Sequence, residues 1–245
     1  MKKLSILLVI LICILGCDSS NSDSAANFSE TGQGGSLARF TIKNDYLYTV
    51  DIMSLQVFNV ADSENPVQVN TIPIGFNIET IFNYKDFLYI GSQNGMFIFS
   101  IENPEQPTYL SDVQHFTACD PVIADGVYAY VTLHSDIGCG TTVNLLEIYD
   151  VTDVLNPILI NSRNLTRPIG IGLYGDYLFV CDDEVKIFNV SDPENIELGH
   201  SLPREAFDVI IYNDLLILIG DNGLYQYSLD ETNIENIQEL STINI

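Results

Sequence analysis

From Ser36 to its C-terminus the chain alternates short apolar runs with polar turn residues. The first stretch reads ARFTI, a turn at Lys43-Asn44-Asp45, then YLYTV. A turn near Met53 leads into LQVFNV, and the turn DSENP leads into VQVNTIPI. β-Branched and aromatic residues favour pleated strands, whereas Gly, Pro, Asn and Asp interrupt them. These runs predict four strands joined by tight turns. No window carries a 3.6-residue apolar period long enough for a core helix.

The same pattern then repeats. Asp45-Tyr46-Leu47-Tyr48 recurs as Asp86-Phe87-Leu88-Tyr89, Gly126-Val127-Tyr128-Ala129, Asp176-Tyr177-Leu178-Phe179 and Asp214-Leu215-Leu216-Ile217. A second phrase follows each copy: Val57-Phe58-Asn59-Val60, Ile98-Phe99-Ser100-Ile101, Ile148-Tyr149-Asp150-Val151, Ile187-Phe188-Asn189-Val190 and Gln226-Tyr227-Ser228-Leu229. The aromatic of that phrase steps from 58 to 99, 149, 188 and 227, at intervals of 41, 50, 39 and 39. The long third interval marks an insertion of about ten residues. Four strands per repeat of about forty residues is the pattern of a β-propeller blade. The expected fold is all-β, a propeller of five four-stranded blades over 36–75, 76–116, 117–167, 168–204 and 205–245. An open β-solenoid or a sandwich is the competing architecture.

These phrases resemble the LVIVD-repeat propeller lipoproteins of bacteria. In that family a strand like Leu-Val-Ile-Val-Asp alternates with a phrase like Ile-Asp-Ile-Ser-Asn-Pro. Here the second phrase stands as FNVADSENP, FSIENPEQP, YDVTDVLNP and FNVSDPENI, with a degenerate fifth copy, YSLDETNIE. The resemblance spans residues 36 to about 245. It implies a fold and an extracytoplasmic location, and it supplies no catalytic residues.

The N-terminus reads as an export signal. Lys2 and Lys3 precede an apolar run, Leu4 to Leu15, interrupted only by Ser5. Twelve helical residues reach about 18 Å, short of the ~30 Å hydrocarbon core. Residues 1–16 are therefore expected to be a signal peptide rather than a membrane span. The run ends in Ile14-Leu15-Gly16-Cys17, which resembles a bacterial lipobox, with Leu15 where Ala or Ser is usual. Cys17 is the expected lipidation site, and a plain secretory signal is the alternative. Residues 17–35 are rich in Ser, Asn, Asp and Gly, and they read as a flexible tether.

Composition narrows the partners. The 245 residues carry 9 Lys and Arg against 33 Asp and Glu, a net charge of -24, and 47% are hydrophobic. Such a chain can bury a core, and it lacks the cations that a phosphate backbone requires, so nucleic acid is excluded. Removing residues 1–16 removes Lys2 and Lys3, leaving 7 basic and 33 acidic residues, or -26. An anionic bilayer surface does not attract such a domain, so attachment falls to the lipid on Cys17. Acyl chains contribute roughly 0.8 kcal/mol per buried CH₂.

In a four-stranded blade with strands A to D, the D-to-A and B-to-C loops share one face. By analogy with propellers in general, that face carries ligands. Cys119 begins strand A of the third blade and Cys139 lies in its long B-to-C loop. In an exported protein the pair is expected to form a disulfide, worth roughly 3 kcal/mol for a loop of about 21 residues. Cys181, at the end of a B strand, is left as a buried free thiol.

The candidate ligand residues on this face are Arg39, Glu79, Asp120, Arg167, Arg204 and Asp208, with Arg163 nearby. Arginines gathered there suit an anionic ligand, and their plainer use is to neutralise neighbouring acids. Glu79, Asp120 and Asp208, opening strand A in three blades, suit either a structural Ca²⁺ or a pair of catalytic carboxylates. No cofactor is expected beyond that ion. No G-x-S-x-G, H-E-x-x-H or Walker motif is present, and no residue is assigned as catalytic or as a metal ligand. The expected role is a lipid-anchored module on a bacterial outer membrane or cell surface, binding or scaffolding a protein or a glycan. A polysaccharide-acting enzyme is the alternative.

Overall fold

The computed structural model describes residues 35–115, 121–135 and 143–245. The expected lipidation site Cys17, the cysteines of the expected disulfide, Cys119 and Cys139, and Asp120 lie outside the described residues.

Twenty strands form five four-stranded antiparallel sheets, each a simple meander. Blade 1 comprises β1 (Phe40–Lys43), β2 (Tyr46–Val50), β3 (Ser54–Asn59) and β4 (Val67–Pro73). Blade 2 comprises β5 (Ile78–Tyr84), β6 (Phe87–Ser92), β7 (Gly95–Ser100) and β8 (Thr108–Gln114). Blade 3 comprises β9 (Val122–Ala124), β10 (Tyr128–Leu133), β11 (Leu145–Asp150) and β12 (Ile158–Asn164). Blade 4 comprises β13 (Ile171–Tyr174), β14 (Tyr177–Cys181), β15 (Val185–Asn189) and β16 (Glu197–Leu202). Blade 5 comprises β17 (Asp208–Tyr212), β18 (Leu215–Gly220), β19 (Gly223–Ser228) and β20 (Gln238–Asn244). The helical content of the described residues is a single 3-10 turn at Pro193–Asn195. The five four-stranded propeller blades expected from the repeats are present.

Both repeated phrases have a structural cause. In every blade the third and fourth strands slip register at the repeated aromatic, beside Phe58, Phe99, Tyr149, Phe188 and Tyr227. A bulge there raises local twist and bends the strand. The apolar residue two positions on donates its N–H to the turn before the second strand: Val60 to Asp45, Ile101 to Asp86, Val151 to Val127, Val190 to Asp176 and Leu229 to Asp214, at 2.7–2.8 Å. In blade 3 the partner is Val127 rather than Gly126, so the first phrase runs one residue later there than its sequence likeness implies.

The acidic turns are local structure. Asp62, Asp153 and Asp230 each accept the N–H two residues on, at 3.0 Å, and each also accepts an Asn side chain. The side-chain amides of Asn65 and Asn156 hold the carboxyls of Asp62 and Asp153 below the usual range. For Asp230 the Thr232 hydroxyl has that effect. These three acids are turn chemistry repeated in blades 1, 3 and 5.

The core consists of four apolar clusters, each sealing one pair of consecutive blades. Among the described residues no cluster joins blade 5 to blade 1. The position of Phe40 is occupied in the other blades by Ile81, Val122, Ile171 and Val209, all 2% exposed or less, whereas Phe40 is 60% exposed. On blade 5 the counterparts of Tyr174 (9%) and Leu202 (7%) are Tyr212 (58%) and Ile243 (60%). The five blades therefore form an arc with four filled interfaces and two apolar end faces.

Candidate functional site

The D-to-A face is built from segments that precede each inner strand. Its centre is crossed by the chain itself. Ala38 donates its N–H to the Gly35 carbonyl (3.0 Å), and the Ala38 carbonyl accepts the N–H of Ile81 in blade 2 (2.9 Å). The buried Ser36 hydroxyl accepts the N–H of Ile171 in blade 4 (2.8 Å). Residues 35–38 thus tie the inner strands of blades 2 and 4 across the axis on this face.

Asp208, at the start of β17, lies beneath this segment. A Cβ on Gly35 would overlap its carboxylate, and a Cβ on Gly170 would lie 2.7 Å from the Asp208 Cα. Both positions need glycine for close approach rather than for backbone angle. Among the described residues the Asp208 carboxylate takes one hydrogen bond, from the Val209 N–H at 2.9 Å, and no cation. Burial pushes its carboxyl up to about 6. The buried Cys181 thiol lies nearby, and burial together with Asp208 raises it far above its ordinary value.

Beside the crossed axis, a cleft of about 330 Å³ opens between blades 4 and 5. The D-to-A segments contribute Thr166, Arg167, Glu205 and Phe207, and the B-to-C turns contribute Asp182, Asp183 and Asp221. Topology brings these four sequence segments together, as a meander requires.

Asp182 organises one wall. Its fully buried side chain accepts the N–H groups of Thr166 (3.0 Å) and Arg167 and the Lys186 ammonium. The same ammonium holds the exposed Asp183 carboxyl below the usual range. Exposed Phe207 lines the cleft. The lining residues include acids, an arginine and one aromatic, which suits a polyhydroxylated ligand with both polar and C–H faces.

The sequence-selected cations are spread over different jobs. Arg39 donates Nε to the Glu79 carbonyl oxygen (3.1 Å), and the Glu79 carboxylate accepts the Gln93 amide (2.9 Å). Arg163 donates to the Ile196 carbonyl (3.1 Å) with its guanidinium 4.9 Å from the Phe188 ring. Arg204 donates to the Tyr227 hydroxyl (2.8 Å) and Glu239 (2.6 Å), over the Tyr225 ring at 4.7 Å. Arg163 and Arg204 therefore staple each blade to the next. Of the sequence-selected residues, Arg167 lines the cleft, Asp208 lies behind its Phe207 wall, and Glu79 belongs to blade 2. Sequence reading missed Phe207, because a lone aromatic before strand A looks like packing. Among the described residues no group of three or more His, Cys, Asp and Glu is arranged to hold a metal ion.

No protein-family model matches the chain, and no curated protein sequence matches it. Solved structures do. A protein from Lactobacillus plantarum is 12% identical, with a TM-score of 0.68 over 82% of this chain and 69% of that one. A functionally unknown protein from Desulfotomaculum acetoxidans is 11% identical, with a TM-score of 0.67 over 84% and 69%. A periplasmic gluconolactonase from Pseudomonas aeruginosa is 12% identical, with a TM-score of 0.63 over 84% and 68%. At these identities the likeness is one of fold, a β-propeller shared with these three bacterial proteins.

Proposed function

We propose that this chain is an LVIVD-type lipoprotein, a propeller tethered through Cys17 outside the cytoplasmic membrane, that binds a glycan in the cleft between blades 4 and 5. The observation that carries the binding reading is the cleft itself. Carboxylates and a guanidinium hydrogen-bond sugar hydroxyls, and the Phe207 ring packs against sugar C–H groups. The backbone crossing at residues 35–38 supports a site beside the axis rather than on it. The lipobox-like run ending at Cys17 supports the anchor, and the neighbour described as periplasmic shows the fold in an extracytoplasmic protein.

The site is tested on a glycan array with soluble residues 18–245. The expected result is retention of one glycan class, weakened at least tenfold by Phe207→Ala and by Asp221→Asn. Binding undiminished in both variants removes the cleft from the account. The anchor is tested separately in cells. Globomycin, which blocks lipoprotein signal peptidase, is expected to leave the full-length precursor uncleaved, and unchanged maturation contradicts lipidation at Cys17.

A further inference from the structure

The two end faces carry the residues of an inter-blade interface without its second half. On blade 5, Ile217 occupies the position of Tyr48, Tyr89, Tyr130 and Phe179, each 1% exposed or less in its own blade. Ile217 is only half-buried, and Tyr212 and Ile243 beside it are exposed. On blade 1, exposed Phe40 and Ile42 share a face with half-buried Leu47 and Phe58, the counterparts of buried Leu88 and Phe99. Apolar sheet faces of this size are uncommon on a free surface. They match the chemistry of a blade face, because equivalent residues fill all four interfaces already built.

The fold neighbours extend beyond the part that this chain matches. Eighty-two per cent of these 245 residues, matched to 69% of the Lactobacillus protein, leaves about 90 of its residues without a counterpart here. That is about two repeats of forty. The tether is a poor filler, since residues 18–34 hold one aromatic, Phe28, in a run of Ser, Asn, Asp and Gly. A second copy brings five blades to a two-blade gap. We propose that the propeller is completed by two four-stranded blades of the same repeat, lying outside residues 1–245 and wedged between blade 5 and blade 1.

The test places the photocrosslinker p-benzoylphenylalanine at Phe40 or at Tyr212 of the full chain in its native cells. Both are exposed aromatics, so folding tolerates the exchange. Asp62, in an outer turn, is the control. The expected result is adducts at both sites, at least tenfold above the control. The crosslinked peptides lie outside residues 1–245 and carry the aromatic–Asn/Asp–Val phrase. Peptides from residues 36–75 or 205–245 overturn the proposal, because the arc then closes on itself or on a second copy. Peptides without the repeat phrase, or no adduct above the control, also overturn it.

Discussion

Phe99→Ala is expected to destabilise the soluble domain by about 3–5 kcal/mol, and Phe58→Ala by only about 1 kcal/mol. The two residues hold the same place in the repeat, at the bulge of the third strand. Phe99 is 2% exposed, part of the blade 1–2 cluster, and edge-on to Tyr109 with ring centroids 5.8 Å apart. Its removal leaves a cavity between two sheets. Phe58 lies on the end face of blade 1, where water already reaches the ring, so its loss removes little burial. Urea unfolding of residues 18–245 at neutral pH reads both values. Equal losses would mean that Phe58 also sits in a filled interface.

Asp208→Asn is expected to stabilise the domain at pH 7.5, by at most roughly 2–3 kcal/mol, and to have little effect near pH 4. The folded carboxyl titrates near 6 against an ordinary 3.8, so the folded state holds its proton more tightly than the unfolded chain. Stability from this group is therefore complete below about pH 3.8 and is lost as pH rises through 6. Above that, an ionised carboxylate is held under Gly35 with one N–H donor and no cation among the described residues. Asparagine keeps the shape and removes the charge. Unfolding curves at pH 4.5 and 7.5 decide the matter. A destabilising effect at pH 7.5 would show that the carboxylate has a favourable partner.

The fold was legible because its causes are local and repeated. The turn acids, the bulge aromatics and the apolar residues that close each blade recur at a fixed period, so five copies reinforce one another. Blade order and the sharing of a face by D-to-A and B-to-C loops followed from the meander alone, which is why Arg167 and Asp208 were placed on one side. Side-chain direction was not legible. Arg163, near the end of strand D, and Arg204, just after it, lie near the same face in sequence terms, yet each guanidinium turns onto an aromatic of the next blade. The open arc was equally hidden. Phe40 and Tyr212 read as ordinary strand residues, and only the absence of a facing sheet leaves them in water.

The most direct test of this architecture is hydroxyl-radical footprinting of purified residues 18–245, read residue by residue by mass spectrometry. Tyr212 and Tyr174 are chemically identical and hold equivalent places in blades 5 and 4, and Phe40 and Phe179 form a second pair of like side chains. Four filled interfaces and two bare end faces predict that Tyr212 and Phe40 oxidise at least several-fold faster than Tyr174 and Phe179. Equal protection of both members of each pair would contradict it, because a sheet would then cover the ends of the arc.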